Sequence, residues 1–474
     1  QFYSDTYHSV YHSLFKRVFH QLPSQWSPNP VMSSSSPDSR TDPGPDPVIY
    51  GQLFVLGCNG SLPRGDTERM KSRFVLRQRE MPNGVRPSTV HPSYPPQAAK
   101  VVSSRLQHSI SFKVTHKHTV VVEYVPDSNT DLFQIGRSTE PPIDFVVTGA
   151  DPAAVSRFSC RIVCSRTPPY SARIYAAGFD DSNNIVLRAA KWRTADGHMD
   201  ALTTNGVLVM NPGPGFGLQS KPRSSEPGSC ESGSSEPGSS ERGSSEPGLW
   251  KEVSVCGDIF TLRETRAAQK RGAKVKGESN LLVDGSLVDL CGVMLLWRST
   301  EGLSLSPTDA LLESYRQELN SERPQCPVGY YTLSFPSRPP QLDFLKPDQT
   351  PGLKLDPKQP WVYMRCGHVH GYLRWGNQCP MCRTNSVCVP LWLGLERGFY
   401  VDSEKPTHAL APCGHVCSQR TAEYWSHVRM PRMQAPVHVH ASEDVHGFQA
   451  LCPFCLKPLD TQTPYVQLIF QTPY

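Results

Sequence analysis

A series of short apolar runs occupies residues 49–300, with Gly, Pro, Asn and Asp between the runs. The runs are rich in Val, Ile, Leu and Phe and too short for helices, so each predicts a strand. Because no helical pattern separates them, the succession predicts a mainly β fold, a β-sandwich. The eleven predicted strands are residues 53–56, 119–124, 132–135, 145–147, 158–163, 172–175, 185–187, 207–210, 253–256, 260–262 and 292–297.

A helical pattern follows the last of these strands. Leu311, Tyr315 and Leu319 recur at every fourth position, and Ser306 is expected to cap the helix, with Pro307 in its first turn. The pattern ends before Arg323, which precedes a proline. With the proline-rich stretch that comes next, it predicts a helix and linker over 301–364.

Two segments are expected to form no part of a packed core. Residues 1–22 carry aromatic and aliphatic residues at helical spacing, but residues 23–47 are rich in Ser, Pro and Asp, and residues 1–46 as a whole are expected to form a disordered extension. Residues 221–248 repeat Ser, Glu, Pro and Gly and are expected to form a solvated insert within a sandwich domain at 47–300. Because Ser often stands beside Glu in the insert, a phosphorylatable arm is the alternative interpretation.

The composition narrows the class of protein. A chain of 474 residues is too long for one ordinary core, and a net charge of +5 with 19% charged residues is too mild to indicate nucleic acid. No apolar run reaches the length of a membrane span. Many of the 15 cysteines interleave with histidine between Cys366 and Cys455, which indicates metal binding in a reducing compartment, and the expected location is the cytoplasm.

The same ligand pattern occurs twice in residues 365–474. Each copy has a Cys-x-His pair followed by a Cys-x-x-Cys pair, and four such ligands form a closed tetrahedral zinc site. The sequence therefore predicts two structural Zn²⁺ ions and no catalytic residue, since a closed site leaves no position for water. The predicted ligands are Cys366, His368, Cys379 and Cys382 in the first copy and Cys413, His415, Cys452 and Cys455 in the second.

The pattern leaves the grouping of these ligands open. Each copy can form its own site, or the two copies can interleave in a cross-brace, a variant of the RING order. His370 and Cys417 stand at equivalent positions in the two copies. They are expected not to be ligands, because eight ligands already close two sites.

Polar residues at three predicted loops suggest a phosphate site in the sandwich. In this order, on a β-sandwich, they resemble the forkhead-associated (FHA) domain, whose loops bind phosphothreonine. Guanidinium forks and hydroxyls suit a phosphate, which carries close to two charges. The family usually has a His three residues after the loop Ser, and here Ser159 stands there. The resemblance implies phosphate contacts from Arg137, Ser156 and Thr204, added charge from Arg157, and a hold on the peptide backbone by Asn205.

The FHA-like region followed by the Cys/His module resembles the Pellino family of E3 ubiquitin ligases. The resemblance runs from about residue 47 to the end, on motifs at 56–62, 127–131, 133–140, 196–206, 360–363 and 366–371. It implies an FHA-type β-sandwich followed by a small two-zinc RING-like domain at 365–474. It also implies a cytosolic ligase of Toll-like and interleukin-1 receptor signalling. Such a ligase would bind phosphorylated interleukin-1-receptor-associated kinases and use a ubiquitin-conjugating enzyme to build polyubiquitin, without a nucleophile of its own.

RING-type domains usually engage the conjugating enzyme through exposed apolar residues beside the zinc loops. The candidates here are Val369, Trp425, Pro453 and Phe454, with Arg383 placed to reach ubiquitin. Trp425 can equally be a core residue. Two alternative functions remain: a phosphopeptide adaptor with an inactive zinc module, and a zinc-dependent nucleic-acid binder. The second lacks the basic, aromatic-studded face that it would require.

Overall fold

The structure, a computed structural model, describes residues 47–58, 73–93, 107–115, 117–147, 154–187, 190–213, 216, 248–337, 356, 358–371, 377–431 and 448–471. The chain divides into two units, Gln1–Asp46 and Pro47–Tyr474, and all described elements belong to the second. The predicted extension at 1–46 and the predicted insert up to residue 247 lie outside the described residues.

The described residues of the region where eleven strands were predicted form eighteen strands. They are β1 (Ile49–Cys58), β2 (Arg73–Arg77), β3 (Gly84–Ser93), β4 (His108–Lys113), β5 (Thr119–Asp127), β6 (Thr130–Gly136), β7 (Phe145–Val146), β8 (Cys160–Ser165), β9 (Ala172–Ala176), β10 (Asn184–Leu187), β11 (Lys191–Arg193), β12 (Met199–Ala201), β13 (Leu208–Met210), β14 (Lys251–Val253), β15 (Ile259–Thr261), β16 (Leu281–Leu282), β17 (Leu287–Asp289) and β18 (Val293–Ser299).

Two large sheets and one smaller sheet account for most of these strands. The seven-stranded sheet has the order β15-β14-β13-β17-β18-β1-β2, and the five-stranded sheet the order β16-β9-β8-β6-β7. A four-stranded sheet, β10-β4-β5-β3, and the hairpin β11-β12 complete the region. One hydrophobic core contains buried residues from the seven-, five- and four-stranded sheets, among them Leu53, Ile174 and Phe112.

Several predicted strand details need correction. The strand predicted at 253–256 is wrong, because β14 ends at Val253 and the next residues turn, with Gly257 at φ 94°. Strand β3 was missed because it carries Pro87 and Pro92, which fit an edge strand and hide the apolar alternation. Cys160 and Cys164 are buried in the core, and burial raises the pKa of the Cys160 thiol to about 12.

Two helices follow the sandwich: α1 (Thr300–Ser304) and α2 (Asp309–Ser321). The predicted cap at Ser306 is wrong, because the hydroxyl of Thr308 accepts the backbone N–H of Leu311 instead. The Ser306 hydroxyl donates to the Tyr400 carbonyl, 2.9 Å away, and accepts a bond from Arg298. Helix α2 ends before Arg323, as predicted.

The C-terminal module consists of short strands, one 3₁₀ turn (Arg397–Phe399) and helix α3 (Gln419–His427). Its sheets are β20-β19-β21, β22-β24-β23-β27 and β25-β26. The strands are β19 (Trp361–Tyr363), β20 (Val369–His370), β21 (Cys388–Pro390), β22 (Trp392–Leu393), β23 (His408–Leu410), β24 (His415–Cys417), β25 (Arg429–Pro431), β26 (Phe448–Ala450) and β27 (Tyr465–Gln467).

A second hydrophobic core joins the outer face of the seven-stranded sheet to this module. It unites sheet residues such as Phe54 and Leu296 with module residues such as Phe399 and Trp425. The buried Arg298 guanidinium crosses the same boundary and donates to the Gly398 and Tyr400 carbonyls at 2.6 and 3.0 Å. The sandwich and the module are therefore one packed body. None of its described helices is long and apolar enough to cross a membrane.

Candidate functional sites: a polar loop cluster and two metal centres

The first two loops of the candidate phosphate site are held together by their backbones. The amide of Arg137, directly after β6, donates to the Ser156 carbonyl at 3.1 Å, and the Ser138 amide donates to the Arg157 carbonyl at 3.3 Å. A Cβ atom at Gly136 would lie 1.9 Å from the Arg157 oxygen, so only glycine permits this approach. The loop pair therefore brings Arg137, Ser156 and Arg157 to one end of the sandwich.

Asn205 fastens the third loop to the second. Its amide nitrogen donates to the Ala154 carbonyl at 2.7 Å and to the Ser156 hydroxyl at 3.1 Å. The amide hydrogens are thus used inside the protein, which leaves the side-chain oxygen to accept from a peptide N–H. Thr204, beside Asn205, is exposed. The three loops thus form one polar surface.

Two arginines that could not be identified from the sequence hold this third loop through hydrogen bonds to its backbone carbonyls. Arg263 donates to the Thr203 carbonyl at 2.8 Å and forms a fully buried ion pair with Glu252. Arg266 donates to the Asn205 carbonyl at 3.0 Å and pairs with Asp289. Their position beyond β15, about 60 residues from the loop, gave no signal in the sequence. The two arginines hold the carbonyls on both sides of Thr204 in place, and the Thr204 side chain is exposed at the surface.

Arg137 and Arg157 are exposed, and neither makes an ion pair with a carboxylate among the described residues. The Arg157 guanidinium lies 5.8 Å from the centre of the Phe158 ring. Ser159, in place of the family's usual His, is buried and donates to the Ser156 carbonyl at 3.1 Å. It therefore orders the loop, and two guanidinium groups remain available to an anion.

The C-terminal module gathers the eight predicted metal ligands into two groups. In each group the ligand atoms all lie within 4.8 Å of one another. The groups are Cys366, His368, Cys379 and Cys382, hereafter the first centre, and Cys413, His415, Cys452 and Cys455, the second centre. Each centre uses the ligands of one sequence copy, so the arrangement is sequential and not a cross-brace.

The separations suit a tetrahedral metal ion. The His368 Nδ1 atom lies 3.8 Å from the Cys379 sulfur, and the His415 Nδ1 atom 3.7 Å from the Cys452 sulfur. A tetrahedron with Zn–S and Zn–N bonds of about 2.0–2.3 Å has edges of about 3.5–3.8 Å. Three sulfurs and one imidazole in this geometry form a closed, structural type of site, with no position left for water.

The turns that carry the ligands are fixed by the backbone. Gly367 and Gly414, between the Cys and His of each pair, have φ of 74° and 78°, where a side chain would be strained. In the first centre, hydrogen bonds from the side chain and backbone of Thr384 lower the pKa of the Cys382 thiol to about 6. This thiol is therefore poised to bind a metal as a thiolate.

His370 and Cys417 lie outside both ligand groups and are buried. The His370 Nε2 atom is 3.7 Å from the Cys379 sulfur, close enough to donate a weak hydrogen bond to that ligand. Burial, followed by the nearby His368, lowers the pKa of His370 to about 4. His370 therefore stands behind a ligand as a neutral imidazole. Cys388 lies in β21, and Cys326 is fully buried.

The sequence-based prediction that the apolar residues of the docking surface are exposed is wrong. Val369, Trp425 and Phe454 are 1%, 0% and 8% exposed, and Pro453 is buried as well. Hydrophobic cores bury these residues: Trp425 donates to the Phe399 carbonyl at 2.7 Å, and Phe454 stacks on His415. A Phe454→Ala substitution would therefore open a cavity instead of removing a surface contact.

Two apolar residues near the first centre are exposed instead. Met381, between two ligands at the tip of its turn, is 50% exposed, and Val387 is 59% exposed. Arg383 is exposed as expected and continues the same turn. No sequence signal separates Met381 from Phe454, which occupies the same position in the second Cys-x-x-Cys turn and is buried.

These features define a class: an FHA-type sandwich packed on a RING-like module with two Cys/His centres. Two family models match the chain, described as "Pellino, FHA domain" over residues 41–315 and "Pellino, RING domain" over residues 319–474.

Curated relatives agree with these matches. Human E3 ubiquitin-protein ligase pellino homolog 2 is 49% identical over 93% of this chain and 100% of its own length. Mouse E3 ubiquitin-protein ligase pellino homolog 3 is 48% identical over 93% of both chains, and Protein pellino of Drosophila melanogaster is 42% identical over 94% and 97%. The chain therefore belongs to the Pellino family, and its class is that of RING-type E3 ubiquitin ligases.

Proposed function

We propose that the polar loops of the sandwich bind phosphothreonine in a substrate or scaffold, and that the RING-like module transfers ubiquitin to the protein so bound. The partners in this proposal are phosphorylated interleukin-1-receptor-associated kinases, in Toll-like and interleukin-1 receptor signalling in the cytoplasm. The observation that carries it is the convergence of Arg137, Ser156 and Asn205 on one surface. Two guanidinium groups that have no ion pair with any described carboxylate, beside donor hydroxyls, suit a phosphate dianion.

Zn²⁺ is the metal that we assign to both centres. The donor sets are three cysteines and one histidine, and their spacing suits tetrahedral bonds. The metal would supply no chemistry beyond holding the turns. Arg383 and Met381, on the turn of the first centre, would be held in place by its closure.

The proposed mechanism is positioning. With all four ligands bound to the metal, neither centre would have a free nucleophile, so a ubiquitin-conjugating enzyme would bring ubiquitin as a thioester. We assign its docking to Met381 and Val387, which, within the part of the chain that the structure describes, are the exposed large apolar residues closest in sequence to the first centre's ligands. Holding the thioester in one orientation raises the fraction of reactive geometries, which can contribute a large part of a rate enhancement.

The experiment is discharge of ubiquitin from a panel of loaded conjugating enzymes by the full chain. Met381→Asp is expected to reduce discharge by at least about tenfold, since a buried charge in an apolar interface costs more than 1.4 kcal/mol. Met81→Asp is the matched control, because Met81 is 78% exposed on the sandwich.

Both variants should retain two zinc ions and phosphopeptide binding. No discharge with any conjugating enzyme would favour the alternative, a phosphopeptide adaptor with a structural zinc module. Equal binding of phosphorylated and unphosphorylated threonine peptides would contradict the phosphate assignment.

A further inference from the structure

The Cys-x-x-Cys turns of the two metal centres share one backbone pattern. In each turn, the backbone amide of the first Cys donates to the carbonyl of the residue five positions later, at 3.0 Å for Cys379 and 2.9 Å for Cys452. The carbonyl of that Cys accepts from the residue four positions on, Arg383 or Leu456, at 2.8 Å in both turns. Arg383 and Leu456 both have positive φ, 61° and 60°. This combination defines a knuckle.

Residues 325–332 repeat the pattern in a third place. The Cys326 amide donates to the Tyr331 carbonyl at 2.9 Å, and the Cys326 carbonyl accepts from the Tyr330 amide at 2.9 Å. Tyr330 has φ of 55°. A single bridge closes each of the three turns, between Gln325 and Thr332 here, and between Gln378 and Asn385 or Leu451 and Pro458 in the metal knuckles. The backbone of 325–332 is therefore that of a metal knuckle.

The side chains of this third knuckle differ from those of a metal site. Gly329 stands where the second Cys would be, and its amide donates to the Cys326 sulfur at 3.2 Å. Burial, and then the neighbouring Cys326 thiol, raise the pKa of Tyr331. Cys326 is fully buried in an apolar cluster with Leu333 and Phe335. Among the described residues, no group of metal ligands includes Cys326.

The third knuckle contacts the ligand loop of the first centre, residues 366–371. A Cβ atom at Gly371 would lie 1.9 Å from the Tyr331 hydroxyl, so the phenol ring packs directly on that glycine. On the other side, Gln325 bridges to Gln471, at the end of the C-terminal segment. In the same segment, Ile469 bonds to Gly367 and Val369 of the ligand loop at 2.8 and 3.0 Å.

We propose that residues 325–332 are a metal-free third knuckle of the ligase module, and that Tyr331 is a positioning residue for the 366–371 loop of the first metal centre. Apolar packing around Cys326 takes the place of the metal ion. The proposal rests on the proposed zinc binding, because its readout is the state of the first centre.

The test follows metal release from the full chain into a chromophoric chelator, and the visible spectrum of the Co²⁺-substituted protein. Wild type should release two ions. In Tyr331→Ala the ion of the first centre should leave about tenfold faster, the scale of an outer support lost from a metal site. Its tetrahedral Co²⁺ band should weaken, while the second centre is unchanged.

Three variants make the result specific. Tyr331→Phe keeps the ring on Gly371 and should behave as wild type. Tyr330→Ala is the matched control, because Tyr330 is 79% exposed on the same turn and should have no effect. Cys326→Ser should retain both ions. If Tyr331→Ala does not fold, Tyr331→Leu, which fills the core without reaching Gly371, takes its place with the same expected result.

Release from Tyr331→Ala at the wild-type rate, or equal acceleration at both centres, would overturn the positioning role. Loss of an ion from Cys326→Ser would overturn the metal-free assignment. A folded wild-type chain without zinc would instead contradict the proposed function on which this inference rests.

Discussion

The two metal centres have the same ligands in the same order but different surroundings. Cys413 and Cys452 of the second centre belong to the core that joins the module to the sandwich, in contact with the cluster around Phe399 and Phe454. In the first centre Cys382 is exposed, and Met381 beside it is half exposed. We infer that the second centre anchors the module to the sandwich and that the first presents a surface to partners.

This difference shows what a ligand pattern determines. The sequence pattern provides four candidate ligands in each copy, and the structure groups the ligands of each copy together. The role of each centre depends on the residues that pack around it, which come from distant parts of the chain. Phe54 and Leu296 of the sandwich lie more than 100 residues before the ligands of the second centre. We infer that two copies of one ligand pattern have different roles within one domain.

Replacing one ligand in each centre should give the largest contrast. Cys452→Ser is expected to unfold the module's core and expose the face of the sandwich that packs on it. Cys382→Ser should unfold only the surroundings of the first centre. The apparent binding free energy of a structural zinc ion in a small domain is about 10–16 kcal/mol. Hydrogen exchange at β18 measures the difference, and equal exchange in both variants would remove the distinction between the centres.

A substitution of Arg298 tests the packing between sandwich and module without changing a metal ligand. Its guanidinium is fully buried, pairs with Asp284 at 3.0 Å and donates to two carbonyls of the module. Arg298→Ala leaves these groups unpaired and should lower the free energy of unfolding by about 3–5 kcal/mol. Urea unfolding gives this value, with the exposed Arg77→Ala as control. A loss no larger than that of the control would mean that the boundary does not depend on Arg298.

A substitution at the phosphate-binding end should leave both metal centres intact. Arg137→Ala is expected to cost about 1.5–3 kcal/mol of phosphothreonine-peptide affinity, the scale of a charge-assisted hydrogen bond. Because the side chain is exposed, zinc content and unfolding should not change. Arg86→Ala, an exposed arginine of β3, is the matched control in calorimetry. A similar loss in both variants would indicate nonspecific attraction to positive charge.

Which cysteine, histidine and polar loop residues come together could be expected from the sequence. The ligands of both centres and the polar loop residues are carried by short motifs, and short motifs fix local backbone. The shared core could not be predicted, because a buried Arg298 contradicts the usual exposure of arginine. The burial of Val369 and Phe454 depends on partners far along the chain. The expected exposure of these two residues was therefore wrong, whereas the expected sets of four metal ligands come together in the structure.

The most direct test of the division between the centres is stepwise removal of zinc with a chelator. Each step would be followed by metal content, ubiquitin discharge, phosphopeptide binding and hydrogen exchange at β18, all on the full chain. We predict that discharge is lost with the first ion, while phosphopeptide binding and protection of β18 persist until the second ion leaves. Discharge that survives loss of the first ion, or loss of all three properties together, would contradict the account.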